Sequence, residues 1–352
     1  MDEELQLNVP LLRRRVPNLT TAAREAGLRA ATVSNLCTGK IPIGRAEVKT
    51  LVALASLAGC SLDELIIRGS GLRMIETGIK ALDLFAPVVR GGTVGFVARP
   101  NMGQLVLLAE LMLRLKKRGF ATVFWDPHSD TPGINHVQEQ SEFICSSKED
   151  IHKQIVELRE EKDIVIGVDR SKVLSGELLS LRESLKEVGA RPITIALVDT
   201  KCEVIDEEGA YGPLDTLWKF DADLIGRSIY PAIDPLASIS TVLEGPYLDA
   251  VHLATQQRAR KLLRRYKELR SLVTAQGFDK ISAPDLLLYN KGERLEAYLA
   301  QPFYVSEPYT NVPGEWLTLY ETLEDVKRIL GGEMDHTEPS ELFFKGRLAA
   351  RA

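Results

Sequence analysis

The chain has 352 residues, of which 45% are hydrophobic and 26% charged, a composition of ordinary globular proteins that allows two or three domains. Its four scattered cysteines lack a CxxC pair, and no apolar run reaches the roughly 18 residues of a membrane span, which excludes a disulfide scaffold and a membrane-spanning protein. We therefore expect a reduced, cytoplasmic protein with no membrane partner and no bound metal.

Charge is unevenly distributed along the chain. The net charge of −5 does not by itself suggest a nucleic-acid partner. Residues 1–70 hold nine Lys and Arg against seven Asp and Glu, so they carry +2, and the remainder carries −5 minus +2, or −7. A mildly basic first segment on an acidic chain is compatible with DNA binding by that segment alone.

Residues 1–68, called the head below, have the signals of short helices. Pro10 suits a first helical turn, and Gly27 and Gly59 suit helix ends. Small residues such as Ala23 allow two helices to meet across a short turn. The pattern predicts an all-α head whose helices begin at Asn8 or Val9 and at Thr20 or Thr21, run from about Arg29 to Thr38 and from Ala46 to Ala58, and resume after Ser61.

A family resemblance covers nearly all of the head. It rests on the runs Thr21-Ala22-Ala23-Arg24-Glu25-Ala26-Gly27-Leu28, Thr32-Val33-Ser34-Asn35-Leu36 and Gly39-Lys40-Ile41-Pro42. These runs resemble the Cro-repressor-like (XRE) helix-turn-helix family, which implies double-stranded DNA as the partner. The implied contacts are Ala30, Ala31, Thr32 and Asn35 at base edges, Thr21, Lys40 and Arg45 at phosphates, and Arg29 at the start of the recognition helix.

The chemistry of these side chains suits DNA, with one departure. Asn can pair with adenine through two hydrogen bonds, and Ala and Thr methyl groups fit the thymine methyl group. Between Arg29 and Lys40 there is no other Arg or Lys, so phosphate contacts are few and the affinity of one head is expected to be weak. Several heads in an oligomer would compensate. The alternative is a helical protein-interaction module on the same scaffold.

Residues 69–72 are predicted to form a short flexible linker. After it, apolar strands over 93–98, 121–125, 164–168 and 193–198 alternate with helices such as 104–117. This alternation predicts a parallel sheet with ligands at the carboxyl ends of its strands. Asp169 and Asp199 follow two of those strands.

A second resemblance covers about residues 72–345. It rests on Glu76-Thr77-Gly78-Ile79-Lys80-Ala81-Leu82-Asp83, Ile229-Tyr230-Pro231-Ala232-Ile233-Asp234-Pro235-Leu236 and Gln301-Pro302-Phe303-Tyr304-Val305. These runs resemble the beta subunit of F-type ATP synthases. The resemblance implies a RecA-like P-loop NTPase core over residues 73–245 and an α-helical C-terminal domain over residues 246–352.

The phosphate-binding loop departs from that family. A P-loop reads GxxxxGK[ST], with the lysine for phosphate charge and the hydroxyl for Mg²⁺. Here the loop is Ala98-Arg99-Pro100-Asn101-Met102-Gly103-Gln104-Leu105, which keeps Gly103 but replaces the lysine by Gln104. Arg99 offers a charge from another point of the loop. Asp169 matches the Walker B carboxylate or, alternatively, caps a loop. Ser129 stands where the family has its catalytic glutamate.

These losses predict that the protein is not an enzyme, because phosphoryl transfer depends on positioning and charge neutralisation. Tyr230, Phe303 and Tyr309 match the family's aromatic positions around adenine, which leaves open that ATP or ADP binds without hydrolysis. The alternative is that these rings only pack two subdomains together.

A basic run follows in the C-terminal domain: Arg258, Arg260, Lys261, Arg264, Arg265, Lys267 and Arg270. Such a run is typical of a solvated helix face, and a second contact to the DNA backbone is the alternative.

The leading hypothesis is therefore a DNA-binding transcriptional regulator whose inactive ATPase-like domain serves oligomerisation or ligand sensing. The expected self-assembly is a homo-oligomer, either a dimer or a ring. One alternative is a weak DNA-associated ATPase, such as a partition or remodelling motor. Another is a structural assembly module whose head binds a protein.

Overall fold

The computed structural model describes residues 5–68, 74–158, 161–187, 193–203, 211–244 and 249–349. The chain divides into two compact units. The smaller unit comprises Met1–Met74 with Thr241–Asp249, and the larger unit comprises Ile75–Ser240 with Ala250–Ala352. The predicted linker, residues 69–72, lies outside the described residues.

Short helices dominate the smaller unit. Its described elements are β1 (Leu5–Leu7), α1 (Val9–Arg15), α2 (Leu19–Glu25), α3 (Ala30–Cys37), a 3-10 helix (Ile43–Arg45), α4 (Val48–Ala58), α5 (Leu62–Leu65), β2 (Ile66–Arg68) and a 3-10 helix (Thr241–Glu244). The last of these joins the head through the Arg13 guanidinium, which donates to the Glu244 carbonyl at 3.4 Å.

The expectation of an all-α head is wrong. Strands β1 and β2 pair antiparallel, with Leu5 opposite Arg68 and Leu7 opposite Ile66. They flank the helices at the two ends of the head, so folding of the helices brings both ends side by side. Backbone groups of the two ends then satisfy one another, as they must where Leu7 is buried.

Several helix ends in the head follow from local chemistry. Asn8 accepts a hydrogen bond from the Leu11 amide, and Ser61 forms a capping box with Glu64. Gly59 ends α4 in the left-handed conformation, with φ of 58°. The predicted start of α2 at Thr20 or Thr21 is wrong, because the helix begins at Leu19 without a side-chain cap.

The larger unit combines a sheet with surrounding helices. Its elements up to the sheet's last strand are β3 (Met74–Ile75), α6 (Lys80–Phe85), β4 (Val88–Val89), β5 (Thr93–Val97), α7 (Gln104–Lys117), β6 (Ala121–Trp125), α8 (Ile134–Gln140), β7 (Phe143–Cys145), α9 (Lys148–Leu158), β8 (Ile164–Asp169), α10 (Ser171–Leu174), α11 (Glu177–Glu187), β9 (Ile193–Val198), β10 (Thr216–Lys219), α12 (Ala222–Gly226) and β11 (Ile239–Ser240).

The sheet confirms the predicted α/β fold. In the described residues it has seven strands in the order β11-β10-β5-β9-β8-β6-β7. Neighbouring strands are parallel except for β10 and β11. Apolar side chains cover both faces, as a parallel sheet between helices requires. The order places the end of β5 between β9 and β10, so the loop before α7 opens at the carboxyl edge.

The C-terminal region is helical, as predicted. Its elements are α13 (Ala250–Gln276), a 3-10 helix (Phe278–Lys280), α14 (Ala283–Leu299), a 3-10 helix (Tyr304–Ser306), α15 (Glu307–Thr310), α16 (Leu319–Gly331) and a 3-10 helix (Pro339–Glu341). A separate core of buried residues, including Leu262, Leu295 and Val326, joins these helices to α6.

A buried ion pair ties α7 to this helical region. The Arg114 and Glu110 side chains are fully buried, and their Nε and Oε1 atoms lie 2.5 Å apart. Arg114 also donates to the carbonyls of Gly78 and Glu315 at 2.9 Å each. Glu110 accepts from the amides of Tyr304 and Val305 at 3.0 Å each. Both charges are thus fully used, which is the condition for a buried pair to be tolerated.

A buried lysine of α6, Lys80, also binds the helical C-terminal region. The Lys80 ammonium donates to the carbonyls of Tyr298, Ala300 (3.0 Å) and Lys345 (2.7 Å). Burial lowers the pKa of Lys80 to about 7, although the negative charges of Glu315 and Asp325 act to raise it.

Replacing Glu110 by Gln should destabilise the larger unit by about 3–5 kcal/mol, because it leaves the buried Arg114 charge uncompensated. Urea unfolding measures this change. The matched control is Glu268→Gln, which removes an exposed partner of Arg265 and should leave the urea midpoint unchanged. Equal midpoints for the two variants would show that the buried pair contributes no more than a surface pair.

Replacing Lys80 by Met should change how stability depends on pH. The folded pKa of about 7 lies below the ordinary 10.5, so the unfolded chain binds more protons between these values and wild-type stability rises with pH there. The wild type should gain up to about 1.4 kcal/mol per pH unit relative to the variant. Urea titrations at several pH values test this, with Lys327→Met as the exposed control. Parallel curves for wild type and Lys80→Met would contradict it.

Candidate functional site

The loop between β5 and α7, residues 98–103, lies at the carboxyl edge of the sheet. Asn101 and Gly103 both adopt left-handed backbone conformations, with φ of 63° and 84°. Gly103 is the residue immediately before α7. A Cβ atom added there would meet nothing within 4 Å, so glycine serves the backbone conformation rather than a close contact.

Gln104, which stands in place of the family's lysine, is held by another part of the chain. Its side chain is buried, and its Nε2 atom donates to the Cys202 sulfur at 3.0 Å. Burial, and then the charge of Asp199, raise the pKa of the Cys202 thiol, so the sulfur stays neutral at ordinary pH. The side chain at the lysine position is therefore engaged within the protein.

Asp169 lies buried at the end of β8, where the sequence predicts a Walker B carboxylate. Its Oδ1 accepts from the Ser171 amide at 2.8 Å, and its Oδ2 accepts from the Thr200 amide at 2.9 Å. Burial acts to raise its pKa, but these hydrogen bonds outweigh burial and hold the pKa below its usual value. Asp169 is thus an ionised carboxylate with both oxygens bound to the main chain, the geometry expected of a loop cap.

The charges beside Gln104 do not favour an anion. Asp169 and Asp199 are both buried at strand ends. The Arg170 guanidinium lies 4.0 Å from Asp199 but only 3.0 Å from Glu203, so it is shared between two carboxylates. A phosphate group placed here would meet more negative than positive charge.

The position of the family's catalytic glutamate is also engaged. The hydroxyls of Ser129 and Thr131 are hydrogen-bonded to each other at 2.5 Å. Nearby, Asp126 accepts from the His128 amide at 2.9 Å and from the Gln138 side chain at 3.1 Å. These contacts order the loop after β6 and do not present a free carboxylate at Ser129.

A cavity of about 420 Å³ lies between the loop and the helical region. Tyr230 and Phe303, two of the predicted aromatic positions, line it together with Gly103. Phe303 is buried, whereas Tyr230 is 40% exposed. Most of the other lining side chains are apolar, among them Val106, Leu107, Pro302 and Phe344. The cavity is therefore suited to a flat, mainly apolar group.

Tyr309, the third aromatic position, is not among the residues that line this cavity. It is 72% exposed, and its ring meets that of His136 edge to face at 6.2 Å. The short helix α15 ends at Thr310, and Asn311, which follows it, adopts the left-handed conformation with a φ of 54°.

Arg99 belongs to a second cavity of about 390 Å³. This cavity also contains Lys219, Asp221 and Asp234, and shares Met102 with the first. Arg99 therefore lines a cavity whose lining includes neither Gln104 nor Asp169, and the two carboxylates of that cavity pair with Lys267.

Three residues at the site were not predicted from the sequence to belong to it. Asn101 and Gln301 line the larger cavity, and Cys202 binds Gln104. Gln301 begins the run that carries the second resemblance, so its position was a usable signal. Cys202 is 98 residues from Gln104, and no local pattern joins the two.

None of the predicted DNA-contacting residues is buried in the head. Helices α2 and α3 are joined by a four-residue turn over residues 26–29. Val33 and Leu36 face the core of the smaller unit. The predicted contact residues are either exposed, namely Thr21, Arg29, Ala31, Lys40 and Arg45, or half-buried, namely Ala30, Thr32 and Asn35.

Four polar side chains of that set have no binding partner among the described residues. Within the part of the chain that the structure describes, the side chains of Arg29, Asn35, Lys40 and Arg45 make no hydrogen bond or ion pair. Asn35 uses only its main chain, whose carbonyl accepts from the Ile41 amide at 3.2 Å. Its side-chain amide is free to bind a partner.

Comparison with known proteins bears on the larger part of the chain. No family model matches the chain. A solved structure of an ATP synthase subunit, NeqB from Nanoarcheaum equitans, is similar with a TM-score of 0.56 over 74% of this chain and 76% of that chain. The two are 18% identical, so the likeness shows the fold alone. An ATP-synthase-like α/β fold is thereby supported, and the helix-turn-helix resemblance stays a prediction.

Two further observations concern the residues that the structure describes. Among them, no helix is both long and apolar enough to span a membrane. Nor do three or more His, Cys, Asp or Glu side chains group there as a metal site would require.

Proposed function

We propose that this protein binds double-stranded DNA through α3 and regulates transcription, and that its larger unit is an ATPase-like body without hydrolytic activity. The outward face of α3 carries the proposal. There, the free Asn35 amide lies among small side chains that let a helix approach base edges, and Arg29 and Lys40 flank the helix.

The condition of the β5–α7 loop supports the second half of the proposal. Gln104 supplies no positive charge, and its amide is engaged with Cys202 at 3.0 Å. Both oxygens of Asp169 are bound to backbone amides. Phosphoryl transfer needs charge neutralisation and a positioned nucleophile, and these contacts supply neither.

The body then serves assembly and ligand binding. Few cations flank α3, so a single head would bind DNA weakly, and a homo-oligomer would raise the affinity by avidity. The cavity beside Tyr230 and Phe303 suits a flat group, while the carboxylates Asp169 and Asp199 oppose phosphate. We infer that the ligand is a neutral adenine nucleoside rather than ATP or ADP.

The DNA-binding half is tested by selecting operators from a random duplex library with the full chain. Asn35→Ala should lose about 1–3 kcal/mol of discrimination, or roughly 5- to 150-fold in relative affinity, because a bidentate base contact is removed. Fluorescence anisotropy on selected and scrambled duplexes measures the ratio.

The control is Ser56→Ala, which truncates an exposed side chain on α4 and should retain the wild-type ratio. A selection that enriches no sequence would contradict DNA recognition. So would equal ratios for Asn35→Ala and Ser56→Ala.

The ligand is tested by calorimetry with adenosine and with ATP plus Mg²⁺. Adenosine should bind more tightly, and Tyr230→Ala should weaken it by roughly 5- to 150-fold, since stacking on an aromatic ring contributes about 1–3 kcal/mol. Tyr309→Ala is the matched control, because Tyr309 lies outside the cavity lining. Tighter binding of ATP than of adenosine would overturn the inference, as would equal losses for the two tyrosine variants.

A further inference from the structure

Helix α13 uses its cations in two different ways. Four of the seven bind within the larger unit. Arg260 donates to the carbonyls of Phe85 and Ser238, at 3.1 and 2.6 Å. Arg265, Lys267 and Arg270 pair with carboxylates at 2.5–3.2 Å: Asp285 and Glu268, Asp221 and Asp234, and Asp223. These four side chains hold the helix in place, so they belong to the fold.

The other three cations are Arg258, Lys261 and Arg264. All are exposed, and within the described residues none makes a hydrogen bond or ion pair. They are spaced three residues apart, so they follow one another along the same side of the helix over about 9 Å. Together they form a row of free positive charge, called the basic stripe below.

The basic stripe costs electrostatic energy in the isolated protein. Burial, followed by the charge of Arg264, lowers the pKa of the neighbouring Arg260. The chain outside residues 1–70 carries −7, so carboxylates are abundant, yet none pairs with the stripe in the described residues. The same helix binds its other four cations, including the exposed Lys267, within the larger unit, so the lack of partners among the described residues is specific to the stripe.

We propose that the basic stripe binds the phosphate backbone of double-stranded DNA. B-DNA carries about one negative charge per 1.7 Å of axis, so 9 Å of helix spans about five phosphates, enough to pair with all three cations. Such contacts add affinity without reading sequence. This proposal rests on the proposed function, and it supplies the phosphate contacts that α3 lacks.

The test compares two triple variants of the full chain that lower net charge equally. One removes the stripe, with Arg258→Gln, Lys261→Gln and Arg264→Gln. The control removes three scattered exposed lysines of the larger unit, with Lys153→Gln, Lys280→Gln and Lys327→Gln. Affinity for selected and scrambled duplexes is measured by fluorescence anisotropy across a salt series, and circular dichroism confirms folding.

The stripe variant should bind both duplexes equally more weakly. Affinity scales with salt to the power of about −0.9 per contact, so each contact contributes roughly 8-fold at 0.1 M salt and the loss of two to three contacts costs about 60- to 500-fold. The slope of log affinity against log salt should fall in magnitude by about 1.8–2.7. The control should retain the wild-type slope.

The outcomes separate this proposal from the one it rests on. If wild type prefers the selected duplex through Asn35 and both triple variants match each other in slope, the basic stripe does not contact DNA and the stripe proposal alone is wrong. If wild type binds no duplex at low salt, the proposed function and the stripe proposal both fail. A stripe variant that loses only sequence preference would also overturn the phosphate assignment.

Discussion

The buried pair of Glu110 and Arg114 is the interaction on which the larger unit depends. Because α7 continues directly from the β5–α7 loop, whatever holds α7 also holds that loop. Arg114 reaches the carbonyls of Gly78 and Glu315, and Glu110 reaches the amides of residues 304–305. Three distant segments thus converge on two neighbouring turns of one helix. Helix α7 is thus held in position by groups of the chain itself.

The polar groups at Gln104 and Asp169 also find their partners within the chain. Gln104 and Cys202 bind each other, and Asp169 is bound by backbone amides, so the polar groups there are satisfied by the protein itself. A lysine introduced at position 104 would place an ammonium beside a neutral thiol and would remove this hydrogen bond. The aromatic cavity next to it is instead kept open by Tyr230 and Phe303. The larger unit thus has a cavity beside Gly103, while the side chains at positions 104 and 169 are bound within the protein.

The cations of helix α13 form one run in the sequence but have two different environments in the structure. Arg260 binds main-chain carbonyls, whereas Arg258 and Arg264 are exposed and make no hydrogen bond or ion pair with the residues that the structure describes. Both groups of cations belong to the same basic run, but they contribute differently to the free energy of folding. Cations that are already paired contribute to folding, and cations that are left unpaired repel one another until an anion arrives. In our proposal, α3 contacts base edges and the basic stripe contacts phosphates of DNA.

The sequence by itself determined features that depend on neighbours within a few residues. Apolar runs predicted the central strands, and local capping predicted helix ends such as Ser61 and Gly59, because both effects act over one turn or one strand. The sequence likewise showed that Gln104 stands where the P-loop pattern has a lysine. Only the tertiary structure decided the pairing of β1 with β2, the bond from Gln104 to Cys202 and the exposure of Tyr309. Each of these joins segments far apart in the chain, and no short-range pattern records which distant backbone, sulfur or ring will be near once the core has packed.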